Sequence, residues 1–145
     1  MKGNHMRHGI GITLTELVIV LAMLGILLGV GLPRVLHLSD RLAVRSAAAE
    51  LKAALNYARH LAQMQARVVA IRFDTARAST ITLATPDTLQ FRMLGAEHGV
   101  ALAVTRDSIA YGPSGRGYGA ANTSIVISRG SAANTTFVSR LGRVR

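Results

Sequence analysis

The chain has 145 residues, a formal net charge of +10 at neutral pH and no cysteine. That length leaves room for a long helix and one modest globular domain, and the missing thiols exclude disulfide staples, cysteine nucleophiles and thiolate metal sites. Arginine outnumbers lysine fifteen to two, which suits bidentate contacts to phosphate or carboxylate.

Residues 1–11 are short, polar and basic, with Lys2, Arg7, His5 and His8. The chain then turns apolar. Ile12 to Leu32 is 21 residues, and about 20 cross the hydrocarbon core of a bilayer. One carboxylate, Glu16, lies just inside the start of that run. An ionisable group there costs a few kcal/mol, so it marks a functional site and calls for a partner. A secretory signal peptide would share the basic start and the apolar run, but no Ala-x-Ala-like site precedes Pro33-Arg34. A plain anchor would keep Lys2 and Arg7 on the cytoplasmic side, and it leaves Gly11, Glu16 and Pro33 unexplained. Pro33 lacks a backbone donor, and with Gly25, Gly29 and Gly31 close by it predicts a helix break or bend. It would equally serve as the end of a membrane span.

Beyond Pro33 the pattern is amphipathic. Val44, Ala47, Ala48, Leu51, Leu55, Ala58, Leu61 and Ala62 recur at helical spacing, which predicts that the helix of residues 12–33 continues over 34–66. Arg41, Arg45, Lys52 and Arg59 fall on another face, at steps of four and seven. That stripe is either a solvated helix surface or a ligand surface.

From Val68 the period changes to two. Strands are predicted at Val68–Phe73, Thr80–Ala84, Thr88–Leu94, Val100–Thr105, Ser124–Ser128 and Thr136–Arg140, with turns at Thr85-Pro86-Asp87 and Gly95 to Gly99. Residues 67–145 thus form a β-rich, antiparallel head, and the fold class is α+β. The segment Tyr111 to Asn122 is rich in glycine. A phosphate-cradling loop of the Walker or Rossmann kind leads into a helix, whereas a strand follows here, so the segment is a loop between strands. Arg116, with Tyr111 and Tyr118, would there be placed to touch an anion or a stacked base.

Signals for catalysis are weak. His5, His8, His37, His60 and His98 have no zinc-type spacing, Asp40, Asp74, Asp87, Glu97 and Asp107 form no evident carboxylate pair or calcium loop, and no Gly-x-Ser-x-Gly is present. No catalytic residue, cofactor or metal site is expected.

The run Gly11-Ile12-Thr13-Leu14-Thr15-Glu16-Leu17-Val18-Ile19-Val20-Leu21-Ala22-Met23-Leu24-Gly25-Ile26 resembles a type IV prepilin N-terminus. The resemblance implies that residues 1–11 are a leader, that a prepilin peptidase cuts between Gly11 and Ile12, and that the new amine of Ile12 is methylated. It departs from the family at Ile12, where Phe or Met is commoner. Glu16 and Pro33 match the family's assembly glutamate and helix-loosening proline. The amine and Glu16 would lie four residues apart, about 6 Å of helical rise. A pair between the amine of one subunit and Glu16 of the next would offset the desolvation of both and set axial register.

The C-terminal half resembles the GspH/FimT branch of pilin-like proteins in Tyr111-Gly112-Pro113-Ser114-Gly115-Arg116, in Thr136-Phe137-Val138-Ser139-Arg140-Leu141-Gly142-Arg143-Val144-Arg145 and in the helical Ala53-Ala54-Leu55-Asn56-Tyr57-Ala58-Arg59. This implies a pilin-like fold and a minor pseudopilin of type II secretion, anchored once in the bacterial inner membrane with its head in the periplasm. Its implied partners are prepilin peptidase, other pseudopilins or pilins, and the assembly platform. Gly142-Arg143-Val144-Arg145 also resembles the ending by which some FimT-like pilins bind DNA during transformation. In that alternative Arg143 and Arg145 would point the same way along an extended chain and grip phosphates without sequence readout, helped by Arg116 and Arg140. Otherwise the two arginines form a charged edge that blunts aggregation. A membrane-anchored hydrolase is the remote third reading.

Overall fold

The computed structural model describes residues 12–84, 87–118 and 122–145. The leader, including the expected cleavage residue Gly11, lies outside the described residues. The chain divides into two compact units, Met1–Leu36 and His37–Arg145.

Helix α1 is Leu14–Met64. Its portion in the first unit is long and apolar enough to cross a membrane. Among the described residues of that unit nothing covers it: Leu17, Leu21, Leu24, Ile26, Leu27 and Leu28 are all exposed. The helix runs through Pro33 without interruption, which departs from the expected break. A proline removes one donor, and the strong helix formers around it, Leu32, Arg34 and Leu36 among them, sustain the rest.

In the second unit the same helix becomes a core element. Val44, Ala47, Ala48, Leu51, Leu55, Ala58 and Ala62 are buried at the spacing that the sequence pattern predicts. Leu51 and Leu55 are fully buried, each contributing about 1.5–3 kcal/mol. The helix stops at Met64, and Ala66 adopts a left-handed φ of 49°, the conformation that commonly ends helices.

Among the described residues eight strands follow, with one short helix. They are β1 Val69–Asp74, β2 Ser79–Ala84, β3 Asp87–Arg92, α2 Leu94–His98, β4 Ala101–Val104, β5 Ser108–Tyr111, β6 Gly117–Tyr118, β7 Thr123–Arg129 and β8 Ala132–Val138. Sheet A has the order β3-β2-β1-β5-β6 and sheet B the order β4-β7-β8. All pairings are antiparallel. Ile71, Ile109 and Tyr111 from sheet A and Leu102, Ile125 and Ile127 from sheet B join the helix in one core.

The structure corrects the sequence reading at three places. Helix α2, Leu94–His98, replaces both the expected end of the strand Thr88–Leu94 at Leu94 and the expected turn Gly95 to Gly99, and buried Leu94 fixes it. Strands β5 and β6 were not expected. Both are short, and β5 exists by pairing with β1, Val69 opposite Tyr111 and Ile71 opposite Ile109. Strand β8 starts four residues earlier than expected and ends at Val138. Its first half, Ala132 to Thr135, is exposed or half-buried and so lacks the apolar alternation that sequence reading needs.

Candidate functional site

Two places carry the residues singled out by sequence. At the start of α1, Thr13 is the capping residue. Its Oγ1 accepts the Glu16 backbone N–H at 3.2 Å, and its carbonyl accepts the Leu17 N–H at 3.1 Å. Thr13-x-x-Glu16 is therefore half of a capping box, a signal present in the sequence but overlooked in favour of the carboxylate alone. Glu16 sits in the first helical turn, where its charge complements the helix dipole. Ile12 and Thr13 precede the helix, so the span from Ile12 to Glu16 is not one continuous helical turn.

At the other end, the chain reverses after β8. The Gly142 N–H donates to the Ser139 carbonyl at 2.8 Å, the Ser139 N–H to the Arg143 carbonyl at 2.9 Å, and the Arg143 N–H to the Ser139 hydroxyl at 3.2 Å. Phe137 and Arg145 exchange both backbone bonds, at 3.0 and 2.9 Å, and Val144 bridges to Val138. Residues 143–145 thus return along the outer edge of β8 in extended form. Arg143 and Arg145 are exposed while Val144 between them is half-buried, as alternation requires.

The other two arginines join them through the backbone. The Gly117 N–H donates to the Arg140 carbonyl at 3.1 Å, and Gly112 to Gly117 form a tight loop closed by the Gly112 N–H on the Arg116 carbonyl. Arg116 and Arg140 are exposed. The fold therefore gathers Arg116, Arg140, Arg143 and Arg145 at one end of the head. None of them has an ion pair among the described residues. Beside them is a shallow groove of about 500 Å³, lined by Phe137, Leu141, Asn122 and the flanks of Arg143 and Arg145. Single guanidiniums on a groove of this kind bind phosphate or carboxylate.

What holds this turn in place escaped the sequence reading. Gly142 has φ 73°, and a β-carbon there would strike the Gly115 carbonyl and the Tyr111 ring. Gly115 has φ 70°, and a β-carbon there would strike the Gln63 side chain. Arg59 donates from Nη1 to the Gly142 carbonyl at 3.4 Å. Tyr111 is fully buried beneath. Burial pushes its phenol up to about 12, against a smaller opposite pull from the Arg59 guanidinium. The Tyr111 hydroxyl and Arg59 Nε have no partner among the described residues. Arg59 thus leaves the stripe expected on the helix surface and becomes a brace.

The fold also assembles a group that spacing did not reveal. Glu50, Glu97 and His98 bring ligand atoms within 4.8 Å of one another. Glu50 is already engaged by Arg92 at 3.3 Å and His98 at 2.9 Å, so the cluster reads as an ion-pair knot.

The family of the type II transport protein GspH matches residues 47–142, more than half of the chain and nearly all of the head. The chain belongs to the GspH family. Among solved structures, it is similar to the type IV minor pilin FimU of Pseudomonas aeruginosa, with a TM-score of 0.63 and 20% identity over 72% of this chain and 88% of FimU. It is also similar to the minor pseudopilin EpsH of the type 2 secretion system of Vibrio cholerae, with a TM-score of 0.56 and 12% identity over 70% of this chain and 94% of EpsH. At such identities the likeness is one of fold: a long N-terminal helix packed on antiparallel sheets. A comparison with curated proteins returns no match. The GspH family is one of envelope-associated pilin and pseudopilin subunits, and the exposed apolar start of α1 is a candidate anchor.

Proposed function

We propose that this GspH-family chain is a minor pseudopilin, a structural subunit of a periplasmic filament that serves type II protein secretion. The observation that carries the reading is a GspH head on a helix whose first 23 residues, from Leu14 to Leu36, bury none of the large apolar side chains described there. Such a helix needs an apolar surround from outside the chain, first lipid and then neighbouring subunits. On this reading residues 1–11 are removed by prepilin peptidase between Gly11 and Ile12, and the Ile12 amine is methylated. Residues 12–33 cross the inner membrane, 34–66 continue the helix and 67–145 are the β-rich head. Glu16 then has two successive tasks: first-turn partner of the helix dipole in the precursor, and counter-charge to a neighbour's amine in the filament. Glu16→Val should still be cut at Gly11 yet fall to a small fraction of wild-type incorporation in sheared filaments. Normal incorporation of that variant would remove the pairing from the mechanism.

A second reading is favoured by the gathered arginines. In it the head is FimT-like and binds DNA through Arg143 and Arg145, with Arg116 and Arg140 beside them. Binding would be independent of base sequence, and its logarithm would fall with the logarithm of salt by about 0.9 for each phosphate neutralised. The full chain in detergent micelles, titrated with duplex DNA, tests this. Arg143→Ala/Arg145→Ala should lower the salt slope by about two, and an unchanged slope would exclude the C-terminal grip.

A further inference from the structure

A second basic groove lies away from the C-terminal arginines. It has a volume of about 390 Å³ and runs between α1 and the β7–β8 turn, lined by Arg41, Val44, Arg45 and residues 131–134. Arg41 and Arg45 are exposed and one helical turn apart. Asp40, next to Arg41 in sequence, is paired with Arg129 at 3.1 Å, and no Asp or Glu is among the lining residues. His37 is bonded to the Ser131 hydroxyl at 3.0 Å. The groove thus presents two guanidiniums with no carboxylate facing them among the described residues.

Its wall is an open strand edge. Strand β8 is the last strand of sheet B. Phe137 exchanges both backbone bonds with Arg145, which fixes the outward direction of its N–H and C=O. Backbone groups alternate along a strand, so those of Thr135 and Ala133 point outward on the same edge. No backbone group among the described residues pairs with them. The edge is able to accept an antiparallel strand, because residues 143–145 of the same chain already occupy its upper part. An edge offering alternate donors and acceptors beside two cations is matched by an extended chain carrying carboxylates. A phosphate would use only the donors.

We infer that the lower edge of β8, at Ala133 and Thr135, is a docking site for an extended acidic segment of a partner protein, which adds as a strand and lays its carboxylates on Arg41 and Arg45. Strand addition takes affinity from the backbone and specificity from the flanking side chains. An open edge of this kind is otherwise a hazard that proteins cover or charge. The inference rests on the unit His37–Arg145 alone and goes beyond the filament reading.

The test uses the full chain in detergent micelles and a fluorescent decapeptide of alternating Glu and Thr, read by anisotropy. The peptide should bind. The same Glu-Thr decapeptide with every backbone amide N-methylated, equal in charge but without strand donors, should bind at least tenfold more weakly, a difference of about 1.4 kcal/mol. Arg41→Ala/Arg45→Ala should weaken the Glu-Thr peptide by roughly five- to tenfold, as two exposed ion pairs would. Thr135→Pro should abolish binding and leave the melting temperature in place, since the outward N–H it removes has no native partner and edge strands accept proline there. Equal binding of the two peptides, indifference to the arginine variant, or capture of phosphatidylglycerol vesicles in place of the peptide would overturn the inference.

Discussion

One helix, two environments: before Leu36 the described large apolar side chains of α1 are exposed, whereas from Val44 onward Val44, Leu51, Leu55 and Leu61 are buried along one stripe while Tyr57 and Met64 outside it stay exposed. Composition differs accordingly. The first stretch is Leu, Ile, Val and Met on every face, whereas the second confines Leu and Val to one stripe and fills it out with Ala. A helix apolar all round has to be buried by something, and one with a stripe buries only that stripe. The head satisfies its stripe from within the chain. The first unit does not, and this makes it a candidate membrane anchor.

The largest effect expected from this contrast comes from truncating the same residue type in each region. Leu55→Ala should destabilise the head by about 2–5 kcal/mol, seen as a lowered midpoint in thermal melting of the full chain in micelles. Leu24→Ala should leave that midpoint unchanged within about 0.5 kcal/mol. If both variants lowered it alike, the division into a self-sufficient head and a dependent helix would fail.

A middle-sized effect belongs to the basic turn. Gly142→Ala puts a side chain into a left-handed position against the Gly115 carbonyl and the Tyr111 ring, and should cost about 1–3 kcal/mol. Hydrogen exchange should show the loss first at Phe137 and Arg145, whose mutual bonds depend on the reversal.

The smallest effect sharpens the picture of the head's interior. In the folded head the Tyr111 phenol is raised from 10.0 to about 12. An unfolded chain therefore gives up that proton first. The stability this group contributes is full below pH 10 and is lost as pH rises toward 12. Tyr111→Phe should flatten that alkaline decline. At neutral pH it should change stability little, because the hydroxyl has no partner among the described residues. A large loss at neutral pH would mean that the hydroxyl is bonded in solution.

Much of this architecture is legible in the sequence, and the gaps have physical causes. The stripe from Val44 to Ala62 is visible because helix burial repeats every three to four residues. The strands β1 and β2 are visible because both alternate and carry β-branched residues. The edge strand β8 is half hidden, since Ala132 to Thr135 have little to bury. Strand β5 is hidden because its partner β1 lies far back along the chain, and β6 because it is only two residues long. The basic turn is partly readable: Arg143 and Arg145 stand out through the resemblance of the ending Gly142-Arg143-Val144-Arg145, with Arg116 and Arg140 expected nearby. The brace of Arg59, Tyr111, Gly115 and Gly142 is not readable, because it joins residues 83 apart in the chain, as the Arg59–Gly142 bond does. Thr13 was readable, as the first residue of a capping box, and was overshadowed by the charge at Glu16.

The close approach of Gly142 to Gly115 and Tyr111 couples recognition to folding. The arginine-bearing turn keeps its shape only while the Tyr111 layer beneath it is packed. Any anion that prefers the formed turn must then stabilise the head by mass action, about 2.7 kcal/mol at a hundredfold excess over its dissociation constant. A thermal melt becomes a ligand screen: nucleic acid, acidic protein and simple phosphate can be ranked by how far each raises the head's midpoint, without knowing beforehand which of them the filament meets.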